Sequence, residues 1–387
     1  MKDWVHALCA LVLAGAGVLP ALAQPRVLIN PGDQAEGNRL AVFNAWEGVI
    51  EAGLRKAGAA GAQAHLSGDA TADMGAGRAH VYDVIVAPAP TVGSALRHGY
   101  VPLLGVGETA RAVLVTGADS AIDGWSKSRG KRLGLPGQDS VVTYLLRGEV
   151  QAGNTTLAQQ YASIYQTRYQ DALLVCLQLR QCDVVAVERS VAQKWLDGGQ
   201  KVKIVWQSRE VPGLAVALRK GAPVAADALR AALADAWPRV DERPAAQLSA
   251  RDFDYVATLG YFTPRVLAGA TLVEDPAQVQ QLLANGAHYI DTRNDEEFAA
   301  GHVPGAVLVP YVEKSAKDPG YDARQDAFDL KRLSQDKGQA LIFGCNGAEC
   351  WKSFKASHAA LKAGYKQVYW FRTGFPAWRD AGLKVER

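Results

Sequence analysis

The chain has no run of lysine and arginine with aromatics between them, and its 42 basic and 39 acidic residues leave a formal charge of only +3. Electrostatics therefore gives no footprint for nucleic acid, and ligand chemistry has to be read from individual sites. Beyond residue 23 no stretch is apolar for long enough to span a bilayer. No internal repeat of solenoid type is present, and nothing calls for a metal or an organic cofactor. Cysteine is scarce, at five positions in 387 residues.

What is there is ordinary globular composition, 49% hydrophobic and 21% charged. A chain of 387 residues exceeds what one hydrophobic core usually supports, so two domains, one of them bilobed, are expected. At the N-terminus, Met1-Lys2-Asp3 precedes a largely apolar run over residues 4–22, broken by Gly15, Gly17 and Pro20. It ends in Ala21-Leu22-Ala23 before Gln24, small residues of the kind found at cleavage sites. Residues 1–23 read as a secretory signal peptide that is removed together with Cys9, with an uncleaved anchor as the alternative. The mature protein is expected in the periplasm, without stable membrane insertion.

Export matters for the four remaining cysteines, because an oxidising compartment permits disulfides. Cys176 and Cys182 flank LQLRQ at the junction of a helix and the strand-like DVVAVE, and a structural disulfide is expected there, with free thiols as the alternative. Cys345 and Cys350 lie in a glycine-containing loop near the C-terminus.

From Arg26 onward short β runs alternate with amphipathic helices: RVLIN, AVFNAWEGVIEAGLRKA, VYDVIVAPA, RAVLVTG and KRLGLPG. This alternation predicts an α/β domain over residues 24–250 with a largely parallel sheet. The stretches YDVIVAPAPTV, LRHGYVPL, DSAIDGWSKSRGKRLGLPGQDSVVTYLL and REVPGLAVALRKG, in this order, resemble the phosphonate/phosphate-type periplasmic solute-binding proteins. The resemblance implies a type II bilobed fold. The chain would cross to the second lobe near RAVLVTG, return near VPGLAVAL, and hold a ligand between the lobes. Ser140, with Thr143 one turn on, follows a strand and precedes a helix, so backbone N–H groups and hydroxyls there could meet an oxyanion, with Thr91 facing from the other lobe. The same positions serve equally as a helix cap and a turn, and Asp139 would repel an anion. Residues 251–269 mix charge, proline and glycine and read as a linker.

The last domain, residues 270–387, offers VQQLLANG as a helix, HYIDTR as a strand, DEEFAAGHVPGAVLVP as a turn with a short strand, QALIFGC as a strand ending at a cysteine, WKSFKASHAALKAGY as a helix and KQVYWF as a closing strand. That is a small α/β domain with a parallel sheet. Asp291-Thr292-Arg293 with Glu297 and Phe298, the GHVPGA segment at 301–306, a cysteine ending LIFGC, and YWFRTGFPAW at 369–378 together resemble rhodaneses. The resemblance implies that Asp291, Arg293 and Glu297 brace the domain and that His302 is structural.

A thiol at the end of a parallel strand, leading into a helix, meets loop N–H groups and the positive end of the helix dipole, both of which favour the thiolate. Cys345 is the expected nucleophile, carrying sulfur as a persulfide between a donor such as thiosulfate and an acceptor, cyanide or a thiol. Its loop, Asn346-Gly347-Ala348-Glu349-Cys350-Trp351-Lys352-Ser353, is longer than the usual rhodanese loop and has no arginine. It resembles a CNGxxCW variant of the fold; Lys352 could supply positive charge, whereas Glu349 disfavours a dianionic donor. Cys350 reads either as a resolving thiol or as a packing residue beside Trp351. Sulfurtransferase is the expected function. The alternatives are a solute-binding or sensory receptor with an inactive rhodanese module, and a phosphatase or arsenate-reductase-like use of the cysteine loop.

Overall fold

The central apolar runs of the first domain, Arg26–Ile29, Val84–Ala87, Ala112–Gly117, Arg132–Pro136, Val184–Glu188 and Ala215–Arg219, become strands with side chains buried on both faces, as strands sandwiched between helices must be. The computed structural model describes residues 24–32, 36–59, 61–67, 73–152, 155–237 and 245–387. The proposed signal segment, residues 1–23, lies outside them.

One lobe is a sheet of six strands in the order Ala246–Gln247, Tyr100–Gly105, Ala215–Arg219, Val84–Ala87, Arg26–Ile29 and Gln63–Leu66. The other has five, in the order Val202–Gln207, Ala112–Gly117, Val184–Glu188, Arg132–Pro136 and Ser163–Thr167. The chain leaves the first lobe after Tyr100–Gly105 and returns at Ala215–Arg219, so two segments join the lobes. They are tied by a small antiparallel pair, Val211–Pro212 with Thr109–Ala110. This is the type II bilobed architecture, with the crossings at RAVLVTG and VPGLAVAL. The largely parallel sheet expected for this domain is not what forms: both sheets are mixed, because the strands next to the lobe crossings run antiparallel to their neighbours. Among the described residues no helix is long and apolar enough to cross a membrane.

Cys176 sits on the helix Asp171–Gln178 and Cys182 two residues before the strand Val184–Glu188, with Cα atoms 5.3 Å apart and a disulfide between them. Both are buried in the second lobe's outer core with Leu173 and Val185.

The C-terminal domain is a five-stranded, wholly parallel sheet in the order Thr271–Val273, Val368–Phe371, Leu341–Gly344, His288–Asp291 and Val307–Leu308. One local reading needs correction: DEEFAA is a helix, Asp295–Ala300, where a turn was expected. Its start is a capping box, Asn294 accepting from the Glu297 N–H while Glu297 accepts from the Asn294 N–H, and three acidic residues in the first turn favour the dipole. The segment 251–269 holds a short helix, Asp254–Thr258, whose Val256 lies in the first domain's core. Tyr261 from the same segment is buried there with Trp351, Phe354 and Trp370 of the C-terminal domain, so one apolar cluster runs through both domains.

The disulfide in the second lobe closes a short loop, with a sequence separation of 6. Replacing both Cys176 and Cys182 by serine is expected to lower that lobe's stability by about 2 kcal/mol in urea unfolding. Non-reducing peptide mapping should recover the two native cysteines as one linked species; recovery as free thiols would contradict the pairing.

Candidate functional site

Cys345 follows the fully buried strand Leu341–Gly344 at the C-terminal edge of the sheet. Gly344 can only be glycine, because a Cβ there would run into the Tyr289 hydroxyl. The loop then turns at Gly347, whose φ of +99° a side chain would strain. The Cys350 N–H closes the turn on the Gly347 carbonyl at 2.9 Å. Cys350 is the N-cap of the helix Trp351–Lys362, with no side-chain cap bond, so the helix start faces the cysteines. The Cα atoms of Cys345 and Cys350 are 6.1 Å apart and their sulfurs are joined in a disulfide.

The motif residues support this loop from below. Phe375 N–H donates to the Cys345 carbonyl at 2.9 Å. A Cβ on Gly374 would strike that same carbonyl, which accounts for the glycine in RTGFP. Asn346 donates to Glu297, so Glu297 reaches the loop as well as capping its helix. Asp291 and Arg293 form a fully buried pair at 2.6 Å, and the guanidinium also donates to the Gly301 carbonyl and covers the Phe375 ring. His302 stacks on Phe298 and bonds its carbonyl through Nδ1 at 3.0 Å. Ser353 accepts from the Trp370 indole at 3.2 Å, and Lys352 is half-buried.

The charges at the loop come from elsewhere in the chain. Glu349 lies between Arg78 and Arg97 of the first lobe, each 2.6 Å from Oε2, with Ser94 Oγ at 3.5 Å. Arg78 and Glu349 are 5% and 8% exposed, a closed pair in which solvent screens little. Burial opposes the Glu349 charge, but the two guanidiniums prevail and hold its pKa below the ordinary value. Burial, with Arg78 and Arg97 adding to it, holds the nearby His98 down to about 4, so it is neutral at physiological pH and adds no third cation. Thr263 donates to the Ala348 carbonyl through both its N–H and its hydroxyl, at 2.8 and 2.7 Å, and Trp351 donates to the Tyr261 carbonyl. The result is that Cys345 is 1% and Cys350 9% exposed. The sulfur loop is shut against the first domain.

A second candidate site is the cleft between the lobes, about 920 Å³, whose wall includes Gly32, Trp46, Tyr169 and Val141. Both charges line it, Glu108, Asp171 and Glu188 with Arg111, Arg189 and Lys194. Burial pushes the Glu188 carboxyl up, and Glu108 adds to the effect. Thr91, Ser140 and Thr143 are buried and not among the residues of that wall. Ser140 Oγ accepts from the Val142 N–H at 3.1 Å, the capping geometry, and the Thr143 hydroxyl donates to the Pro136 carbonyl at 3.0 Å.

Comparison with known proteins places both halves. Residues 275–381 match the model of the rhodanese-like domain, and residues 64–258 that of the phosphonate ABC transporter periplasmic substrate-binding protein. The chain belongs to both families, one per domain. The C-terminal domain is 36% identical over 107 residues to thiosulfate sulfurtransferase 16 of Arabidopsis thaliana, covering 27% of this chain and 84% of that protein. It is 34% identical over 105 residues to the protein HIGH ARSENIC CONTENT 1 of the same plant, of which the match spans 60%, and 27% of this chain. The bilobed domain has the fold of a Xanthomonas citri protein solved bound to ATP, with a TM-score of 0.50 and 18% identity, covering 60% of this chain and 95% of that one.

Sequence reasoning did not find Arg78 and Arg97, which stand 271 and 252 residues from Glu349 and belong to no motif. Glu349→Gln would leave two guanidiniums facing each other with no anion, and is expected to weaken the joined structure by about 3 kcal/mol. Because the folded-state pKa of Glu349 is depressed, the wild-type advantage should be constant above the ordinary value of 4.5 and shrink as pH falls through the lower folded value. Unfolding midpoints of both proteins at pH 7 and at pH 3 check this; an undiminished difference at pH 3 would contradict it.

Proposed function

We propose that the protein is an exported sulfurtransferase in which Cys345 carries sulfane sulfur as a persulfide, and in which the N-terminal domain binds a small ligand between its lobes. The observation that carries the reading is the position of Cys345, between a buried parallel strand and the start of a 12-residue helix, inside a domain of the rhodanese family. The start of the helix Trp351–Lys362, with its unpaired N–H groups and the positive end of its dipole, favours the thiolate over the thiol. Export is supported by the family of the N-terminal domain and is consistent with two disulfides in one chain.

The first half-reaction starts from the reduced loop. The Cys345 thiolate attacks the outer sulfur of thiosulfate, a bond forms between the two sulfurs, and the sulfur–sulfur bond of the donor breaks with its electron pair leaving on sulfite. The persulfide then passes its outer sulfur to a nucleophilic acceptor, cyanide or a thiol, which regenerates the thiolate. Asn346, bonded to Glu297, and the Cys345 carbonyl, held by the Phe375 N–H, fix the loop while this happens. The disulfide form has no thiolate, so a thiol reductant must act before the donor does.

Cys345→Ser should abolish sulfite release from thiosulfate and show no added sulfur by intact mass, whereas Cys350→Ser should retain the first half-reaction. A persulfide found on Cys345→Ser would place the chemistry elsewhere. For the cleft, an oxyanion is the proposed class of ligand. Phosphate, methylphosphonate or sulfate at a hundredfold excess over its dissociation constant should stabilise the first domain by about 2.7 kcal/mol. Calorimetry showing no heat with any of the three would remove that part of the reading.

A further inference from the structure

The transfer described above gives Cys350 no task, yet the fold holds it beside the sulfur carrier. The Cα separation of 6.1 Å lies within the range that two cysteines bridge without backbone movement. That proximity is held from three sides. The Gly347 turn with its bond from the Cys350 N–H sets the loop's path, the two Thr263 bonds fix Ala348, and Arg78 and Arg97 grip Glu349, the residue before Cys350. The Cys350 side chain also sits at the N-cap of the helix Trp351–Lys362, where the dipole favours a thiolate. Cys345 and Cys350 are enclosed together, 1% and 9% exposed, so the internal thiol is already in place once the persulfide has formed.

We propose that Cys350 resolves the persulfide within the same chain and releases the sulfur as hydrosulfide. The inference rests on the persulfide reading of Cys345 and extends it to a second activity. The Cys350 thiol gives its proton to the outer sulfur of the Cys345 persulfide anion. Its thiolate attacks the inner sulfur, Cys345 Sγ, from the side opposite the outer one. A bond forms between the two cysteine sulfurs, the bond from Cys345 Sγ to the outer sulfur breaks, and the electron pair leaves on HS⁻. The sulfane sulfur is reduced by two electrons and the two cysteines are oxidised by two. Over the whole sequence, thiosulfate and two cysteine thiols become sulfite, hydrosulfide and the Cys345–Cys350 disulfide. A dithiol reductant then restores the thiols and permits another cycle. The disulfide-linked, enclosed loop is the resting product of that sequence.

The experiment is a single turnover on the full-length chain, reduced, freed of reductant and mixed anaerobically with one equivalent of thiosulfate, with sulfite, sulfide, free thiols and intact mass followed together. The wild type is expected to release sulfite and sulfide in equal amounts, to lose the Cys345 and Cys350 thiols, and to carry no added sulfur. Cys350→Ser is expected to release sulfite at a comparable level, to keep one added sulfur atom on Cys345, and to release roughly tenfold less sulfide or lower, since it lacks the intramolecular nucleophile. Wild-type protein that keeps the added sulfur and releases no sulfide overturns the proposal and leaves the sulfurtransferase reading standing. No sulfite from either protein overturns both. The Cys176–Cys182 pair serves as the internal control, since its thiol state should not change with thiosulfate.

Discussion

A single carboxylate, that of Glu349, is gripped by Arg78 and Arg97 of the other domain, and the arrangement of the sulfur loop follows from that contact. A buried ion pair is not a strong source of stability, because desolvation opposes the Coulomb gain. Its force lies in what happens without it: a charge left alone in that setting is costly, so the loop and the lobe have to meet in one register. Around it, Trp351, Phe354 and Trp370 complete a core cluster that begins in the first domain with Tyr144 and Val256. Apolar burial brings the domains together and the charge pair fixes which residues face each other.

The two candidate sites obey the same rule of the α/β fold, that functional groups gather where strands end and helices begin. Cys345 stands at the end of Leu341–Gly344, and the cleft opens beyond Arg26–Ile29 and Val84–Ala87, at Gly32 and Pro88. Gly32, in the cleft wall, donates its N–H to Asn30 Oδ1 at 2.9 Å, and Asn30 Nδ2 donates to Asp73 at 3.2 Å, which ties the cleft wall to the segment leading into the helix Ala76–Ala79 that carries Arg78.

Much of this was legible in the sequence. The alternation of apolar runs and helices gave both α/β domains, because a sheet covered by helices on both faces needs continuous apolar strands, but it did not show that the first domain's sheets are mixed. The motif order pointed to the rhodanese domain, but the reason for the glycine in RTGFP, Gly374 lying against the Cys345 carbonyl, came only from the structure. The short helix Asp295–Ala300 was misread as a turn because its signal is in the caps, Asn294 and Glu297, and not in an apolar period. Ser140 and Thr143 have the pattern of an anion site, and in the fold their hydroxyls bond the Val142 N–H and the Pro136 carbonyl, since a helix start presents the same geometry to a cap as to a ligand.

The sequence by itself determined the two families, the lobe crossings and the identity of the candidate nucleophile, all of which depend on local pattern and motif order. It also marked the loop's missing arginine and the unexpected Glu349. Only the tertiary structure decided what those two anomalies mean together. Arg78 and Arg97 lie 271 and 252 residues from Glu349, carry no periodic or motif signal, and meet it solely because an apolar seam draws the domains into contact. Charge complementarity across such a distance is a property of packed surfaces, and a linear pattern of residues does not encode which surfaces will face.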